Sequence, residues 1–136
     1  MTAAAPGERV ARCRCGQLSA TCRGEPVRVS VCHCRACQRR TGGPFSAQAR
    51  FPADAVAIAG EYRLREAVGG SGRRTTFRWC PECGGEIAFA NEGLDNLAIP
   101  LGAFAPEPLP VPALSIHEEG RQPWIAIVGE GVEHYD

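Results

Sequence analysis

The sequence predicts an all-β protein with one short helical segment, and two observations carry this prediction. Apolar and polar residues alternate with a period of two in many short segments, which is typical of half-buried strands. Glycine and proline residues separate these segments, as expected of turns. The length of 136 residues is usual for one domain, so we expect residues 1–136 to form a single unit.

The first half of the chain predicts four strands and the helical segment. In the second strand, Leu18, Ala20 and Cys22 alternate with polar neighbours, which places Cys22 on an apolar face and favours a core role over metal binding. The helical segment contains good helix formers and ends at Gly42. The predicted strands cover residues 9–15, 18–23, 27–31 and 45–51, and the helical segment covers residues 34–40.

The second half predicts further short strands and a proline-rich connector. A hairpin is expected to turn at Gly60-Glu61, and prolines at alternate positions from 106 to 112 predict an extended connector. Residues 123–128 are expected to return to the body as a strand or short helix, with Trp79 and Trp124 in the core. The predicted strands are residues 55–59 and 62–66 of the hairpin, then 75–79, 87–90 and 97–101.

Charge and hydropathy exclude several classes of function. Fifteen basic and fifteen acidic residues give a formal charge of zero, which argues against nucleic-acid and membrane partners. The N-terminal segment lacks the features of a signal peptide, and no apolar run approaches the roughly 18 residues of a membrane span. We therefore expect a soluble, cytoplasmic protein. In that reducing compartment, closely spaced cysteines are metal ligands rather than disulfides.

Four of the eight cysteines form one complete ligand set. Cys13 and Cys15 make a C-x-C pair, and Cys80 and Cys83 make a C-x-x-C pair. Together they supply the four thiolates of a tetrahedral zinc site, which would join the N-terminal strand to a zinc knuckle and add on the order of 10 kcal/mol of folding free energy. The alternative is two half-sites on different ions.

Cys32, Cys34 and Cys37 form a C-x-C-x-x-C group that lacks an obvious fourth ligand. The group is either a metal site with an open position or a structural site completed by Cys22 or His33, although His33 is expected to point away from the metal. Three thiolates make zinc a poor activator of water. They suit the binding of a substrate sulfur as a nucleophilic thiolate, and hence the addition of a small thiol to a carbonyl.

Five motifs in order make the sequence resemble the glutathione-dependent formaldehyde-activating enzyme family, which is shared with centromere protein V. The similarity spans about residues 12–124. The motifs are C-x-C-G (13–16), C-x-C-x-x-C (32–37), G-x-P-F (42–45), aromatic-C-P-x-C-G (79–84) and Pro-Trp (123–124).

The resemblance implies two zinc ions per chain. One would be structural, on Cys13, Cys15, Cys80 and Cys83, and the other catalytic, on Cys32, Cys34 and Cys37. It further implies a carbon–sulfur lyase that forms S-hydroxymethylglutathione from formaldehyde and glutathione. The implied fold is a β-tent of coiled antiparallel sheets with zinc knuckles, similar to methionine sulfoxide reductase B.

Glutathione carries two carboxylates, so its site should offer cations. Arg35, Arg39 and Arg40 lie next to the open site in the sequence and are candidates, although such residues also occur on ordinary solvated helix faces. His117 is a candidate general acid or a structural residue. Two other functions remain open, namely a non-catalytic zinc-stabilised protein-interaction module and a thiol–aldehyde carrier.

Overall fold

A computed structural model describes residues 6–69 and 71–136, so most of the N-terminal segment searched for a signal peptide lies outside the described residues. The described chain forms eleven strands, one α-helix and three short 3-10 turns. The helix is α1 (Arg35–Thr41), and the 3-10 turns are Ala53–Ala55, Leu101–Phe104 and Glu118–Gly120. The strands are β1 (Glu8–Arg12), β2 (Ser19–Arg23), β3 (Arg28–Cys32), β4 (Ser46–Pro52), β5 (Val56–Ala59), β6 (Arg63–Val68), β7 (Arg74–Trp79), β8 (Glu86–Asn91), β9 (Asn96–Pro100), β10 (Leu114–Ile116) and β11 (Glu133–His134).

The strands form two sheets, which confirms the predicted all-β class with one short helix. A three-stranded sheet has the order β1-β2-β5, and an eight-stranded sheet has the order β11-β10-β3-β4-β9-β8-β7-β6. Pairing is antiparallel except where β10 lies parallel to β3 and β11 lies parallel to β10. None of the helices formed by the described residues is long and apolar enough to cross a membrane.

The core contains the apolar face of β2 together with residues of the larger sheet. Leu18, Ala20 and Cys22 are fully buried with Phe51 and Phe104, whose ring centroids lie 6.1 Å apart. Burial raises the pKa of the Cys22 thiol to about 12, so this cysteine stays a neutral, apolar side chain. The predicted core role of Cys22 is confirmed.

The short helix α1 begins and ends close to its predicted bounds. Its N-terminus is capped by the Cys34 thiol, which accepts a hydrogen bond from the Cys37 amide at 3.3 Å. At its C-terminus, Gly42 has a φ of 74°, a conformation that favours glycine, and donates its amide hydrogen to the Gln38 carbonyl. The N-terminal cap of α1 is therefore Cys34, one of the cysteines that the sequence assigns to a metal site.

The hairpin predicted over residues 55–59 and 62–66 is wrong. β5 pairs with β2 in the small sheet, whereas β6 pairs with β7 in the large sheet, so the chain changes sheets at Gly60-Glu61. Gln17 holds this crossing because its side-chain amide donates to the Glu61 carbonyl at 2.6 Å and accepts from the Glu61 amide at 3.0 Å. A Cβ on Gly60 would lie 2.0 Å from the Gln17 carbonyl oxygen, so glycine is needed there.

The C-terminal prediction also needs correction. Residues 123–128 form neither a strand nor a helix, and Trp124 is 74% exposed rather than in the core. Pro123 lacks the amide hydrogen that a sheet ladder needs, and the Ile125 amide bonds instead to the Gln122 carbonyl in a turn. Trp79 is half-buried. The predicted extended proline connector does not begin at residue 106, because residues 105–107 form a turn in which the Glu107 amide donates to the Phe104 carbonyl at 2.9 Å. Residues 108–112 contain no helix, strand or turn.

Candidate metal centres and the adjoining pocket

The four-thiol cluster consists of Cys13, Cys15, Cys80 and Cys83. Their sulfur atoms all lie within 4.8 Å of one another, and Cys15 Sγ is 3.6 Å from Cys13 Sγ and 3.7 Å from Cys80 Sγ. Ligand sulfurs around a tetrahedral zinc ion lie about 3.8 Å apart, because each Zn–S bond is about 2.3 Å long. This donor set therefore fits zinc.

Two turns bring these four sulfurs together from distant parts of the chain. β1 runs into a turn closed by the Gly16 amide on the Cys13 carbonyl, and β7 runs into a turn closed by the Gly84 amide on the Cys80 carbonyl. The turns approach closely at Gly85, where a Cβ would lie 3.2 Å from Cys13 Cβ. The lack of a side chain at Gly85 therefore allows the two cysteine pairs to meet.

Hydrogen-bond donors surround the four-thiol cluster. Amide hydrogens of Cys15 and Gly85 stabilise the thiolate of Cys83 and lower its pKa to about 6. The Gln17 side-chain amide donates to Cys80 Sγ at 3.0 Å, and the Leu18 amide donates to Cys13 Sγ at 3.4 Å. Such donors favour deprotonated sulfurs and orient them as ligands.

The three-thiol cluster consists of Cys32, Cys34 and Cys37, whose sulfurs also lie within 4.8 Å of one another. Cys32 ends β3, Cys34 caps α1, and Cys37 lies in the first turn of α1. Hydrogen bonds from Cys32 and then from Ser46, Cys34 and Arg40 lower the pKa of Cys37 to about 4, against the effect of burial. The cluster thus already favours a thiolate at Cys37.

No fourth ligand joins the three-thiol cluster among the described residues. Cys22 lies in the core, and His33 is fully buried with its Nε2 atom 2.9 Å from Ser115 Oγ. Burial lowers the pKa of His33, so its imidazole is neutral at physiological pH. His33 bonds to β10 instead of approaching the sulfurs.

A cavity of about 370 Å³ opens directly beside Cys32 and Cys37. The large sheet supplies its wall through a row of cross-strand neighbours, in which Arg50 is paired with Ala98, Ala98 with Phe89, and Phe89 with Phe77. The row ends at Arg65 of β6, which is paired with Phe77 and also lines the cavity. The cavity is therefore apolar at its centre and carries an arginine on each side.

The three candidate arginines of α1 are not brought together. Arg35 and Arg39 are exposed and lie outside the described lining of the cavity, whereas Arg40 lines it. Arg40 Nη1 donates to Glu86 Oε2 at 2.5 Å, and its guanidinium lies 5.0 Å from the ring centroids of Phe77 and Phe89. The positive charge of Arg40 is thus already paired within the protein.

Sequence reasoning missed three polar residues of β4 that line the cavity, namely Ser46, Gln48 and Arg50. The alternation over residues 45–51 predicts this strand and is typical of a half-buried one. Both faces are buried instead, because the second face forms the cavity wall. The available signal was the register with the preceding strand, since Ser46 is paired with Cys32. His117 lies outside the described cavity lining, and its Nδ1 atom is 3.5 Å from Glu119 Oε1.

The fold and the two clusters define a class of β-sheet protein with one closed cysteine site and one three-cysteine site beside a cavity. The chain belongs to the glutathione-dependent formaldehyde-activating enzyme family, whose family model matches residues 8–119. A crystal structure of a Rhodobacter sphaeroides protein from a structural genomics programme is similar in fold, with a TM-score of 0.53 and 15% identity. The match covers 73% of this chain and 90% of that chain. No curated protein matches the sequence significantly.

Proposed function

We propose that this protein is a zinc-dependent carbon–sulfur lyase that joins glutathione or another small thiol to formaldehyde or another small aldehyde. The observation that carries the proposal is the position of the three-thiol cluster, two of whose cysteines line a cavity that the four-thiol cluster does not line. Membership of the family supports the same activity. We further propose two zinc ions per chain, one at each cluster.

Cys32, Cys34 and Cys37 would hold the catalytic zinc ion. When bound there, zinc would leave one position for the substrate sulfur and stabilise it as a thiolate, the form that attacks a carbonyl. Ser46 and Arg40 contact the Cys37 thiolate and hold it in place. Phe77 and Phe89 give the neighbouring cavity an apolar wall.

The reaction balances without an oxidant or reductant. The thiol loses its proton, its sulfur forms a bond to the carbonyl carbon, and the carbonyl π electrons move to oxygen, which takes up a proton. No carboxylate and no imidazole is found among the described residues that line the cavity. We therefore assign the proton exchange to water at the mouth of the cavity rather than to His117.

The test is the rate at which glutathione and ¹³C-formaldehyde interconvert with S-hydroxymethylglutathione, measured by NMR exchange spectroscopy. The wild-type protein should exceed the uncatalysed rate, Cys37→Ser should fall to that rate, and the matched control Cys22→Ala should retain the activity, because Cys22 lies in the core. A wild-type protein that holds both metal ions and gives only the uncatalysed rate would refute the lyase. In that case, retained thiol binding would favour the carrier.

A further inference from the structure

Arg50 is a buried cation without a counter-ion. Arg50 as a whole is only 9% exposed. Its Nη1 atom donates to the neutral Asn96 Oδ1 at 3.1 Å, and its buried Nε atom has no hydrogen-bond partner. The described residues place no carboxylate within ion-pair distance of this guanidinium. Arg28 lies directly opposite on β3 and adds a like charge. An unpaired charge in such a place is costly, so a ligand that neutralises it gains affinity.

Arg40 provides the contrast within the same cavity. Both guanidinium groups lie against the Phe89 ring, at 5.0 Å for Arg40 and 5.7 Å for Arg50. Glu86 neutralises Arg40, whereas Arg50 lacks an equivalent partner among the described residues. Arg50 is therefore the buried cavity cation that remains available to an anionic group of a ligand.

The register of β3 and β4 sets the length of the ligand. Cys32 is paired with Ser46 at one end and Arg28 with Arg50 at the other, so Arg50 lies four residues along β4 from the three-thiol cluster. At about 3.3 Å per residue this is a separation of about 13 Å between backbone positions. A sulfur at the cluster and a carboxylate at Arg50 must then be on the order of 10 Å apart. Cysteine and 3-mercaptopropionate are too short for this span.

We propose that Arg50 binds a carboxylate of a peptide-sized thiol whose sulfur lies at the three-thiol cluster. This inference rests on the proposed function and deepens it, because it names the residue that selects the carboxylate of the thiol. Arg50 is a specificity residue, whereas Arg35 and Arg39 have no role in binding.

The test compares Arg50→Gln with the matched control Arg39→Gln, which changes an exposed arginine outside the described lining of the cavity, using calorimetric titration of the zinc-loaded protein. The probes are glutathione, S-methylglutathione, 3-mercaptopropionate and mercaptoethanol. Arg50→Gln should weaken glutathione and S-methylglutathione about 10- to 100-fold, as expected for one charge-assisted contact. It should leave the two short thiols unchanged, and Arg39→Gln should leave all four probes unchanged. An equal loss for mercaptoethanol, or no loss for glutathione, would overturn the proposal.

Two further measurements keep this result separate from the lyase proposal and from folding. S-methylglutathione has no ionisable thiol, so it should bind more weakly than glutathione. Equal affinity of the two ligands would refute the contact between sulfur and metal, but the comparison of Arg50→Gln with its control would remain valid. Glutathione diethyl ester lacks both carboxylates and is tested on the wild-type protein. It should bind about 10- to 100-fold more weakly than glutathione, and equal affinity would overturn the role of Arg50 however the variant folds.

Discussion

Arg40 and Glu86 form an ion pair of 2.5 Å that joins the only α-helix of the described chain to strand β8. Their side chains are 18% and 19% exposed, and Arg40 also contacts the Cys37 thiolate. Burial raises the pKa of Glu86, while the charge of Arg40 opposes this shift. The pair therefore connects the three-thiol cluster to the large sheet at the cost of burying two charges.

Removing one member of this pair should cost more than replacing both. Glu86→Gln leaves the Arg40 charge largely buried without its carboxylate partner, and we expect a loss of about 2–4 kcal/mol in the free energy of unfolding. The double variant Arg40→Met with Glu86→Leu should lose less than Glu86→Gln alone. Urea denaturation measures both values. A double variant less stable than Glu86→Gln would show that the ion pair is a net source of stability.

The two clusters should release metal at different rates. The purified protein is expected to hold two zinc ions per chain, and graded addition of a chelator should remove them in two phases. The three-thiol cluster borders an open cavity and should lose its ion first, whereas the four-thiol site is coordinatively closed. Elemental analysis of the protein recovered after each step gives the counts. Release in a single phase would contradict the assignment of one open and one closed site.

Cysteine variants should separate folding from activity. Cys80→Ser breaks the set of four thiols that joins β1 to β7, so we expect the domain to unfold. Cys34→Ser changes the three-thiol cluster, whose ligands lie within six residues of one another and close no long loop. This variant should therefore keep its fold but lose one zinc ion and the activity. Circular dichroism and zinc content measure the two outcomes. A stable Cys80→Ser protein, or a Cys34→Ser protein that unfolds equally, would refute the division.

Glu118 should stabilise the folded protein only while its carboxyl group is ionised. Its Oε2 atom accepts hydrogen bonds from His134 Nδ1 at 2.8 Å and Ser115 Oγ at 2.6 Å, and these bonds lower the pKa of its carboxyl group below 4.5. The unfolded chain therefore takes up the proton first on acidification, so this contribution is present above about pH 4.5 and disappears as the pH falls through the folded pKa.

Glu118→Gln should accordingly destabilise the protein at pH 7 and have a smaller effect near pH 3.5. Urea unfolding of the variant and the wild type at matched pH values isolates this contribution, because losses shared by both proteins cancel. His134→Gln is a second variant that removes the imidazole while keeping the carboxylate. A cost of Glu118→Gln that does not change with pH would contradict the role of the ionised carboxylate.

The sequence predicted those features of the fold that depend on local pattern. The alternation in β2 identified its buried face, including Cys22, and Gly42 identified the end of the helix. The spacing of the cysteines likewise identified the two groups that converge. These signals succeed because each depends on residues that are close together in the chain.

Other features depend on tertiary contacts that no local pattern contains. Gly60 reads as a hairpin turn, but its contact with Gln17 directs β5 and β6 into different sheets. The alternation in β4 is typical of a half-buried strand, although Arg50 lines the cavity. β10 and β11 are three and two residues long and were missed, because parallel pairing of β10 with β3 and of β11 with β10, rather than intrinsic propensity, forms them.

The separation of the ligands along the chain has a consequence for protein synthesis. Cys15 and Cys80 are 65 positions apart, whereas the three-thiol cluster lies within one strand end and one helical turn. At about 5–20 residues per second, a ribosome needs several seconds after Cys37 to reach Cys83. We therefore expect the local cluster to encounter cellular zinc first, while the ion that joins the two distant turns can be captured only after Cys83 has emerged from the ribosome.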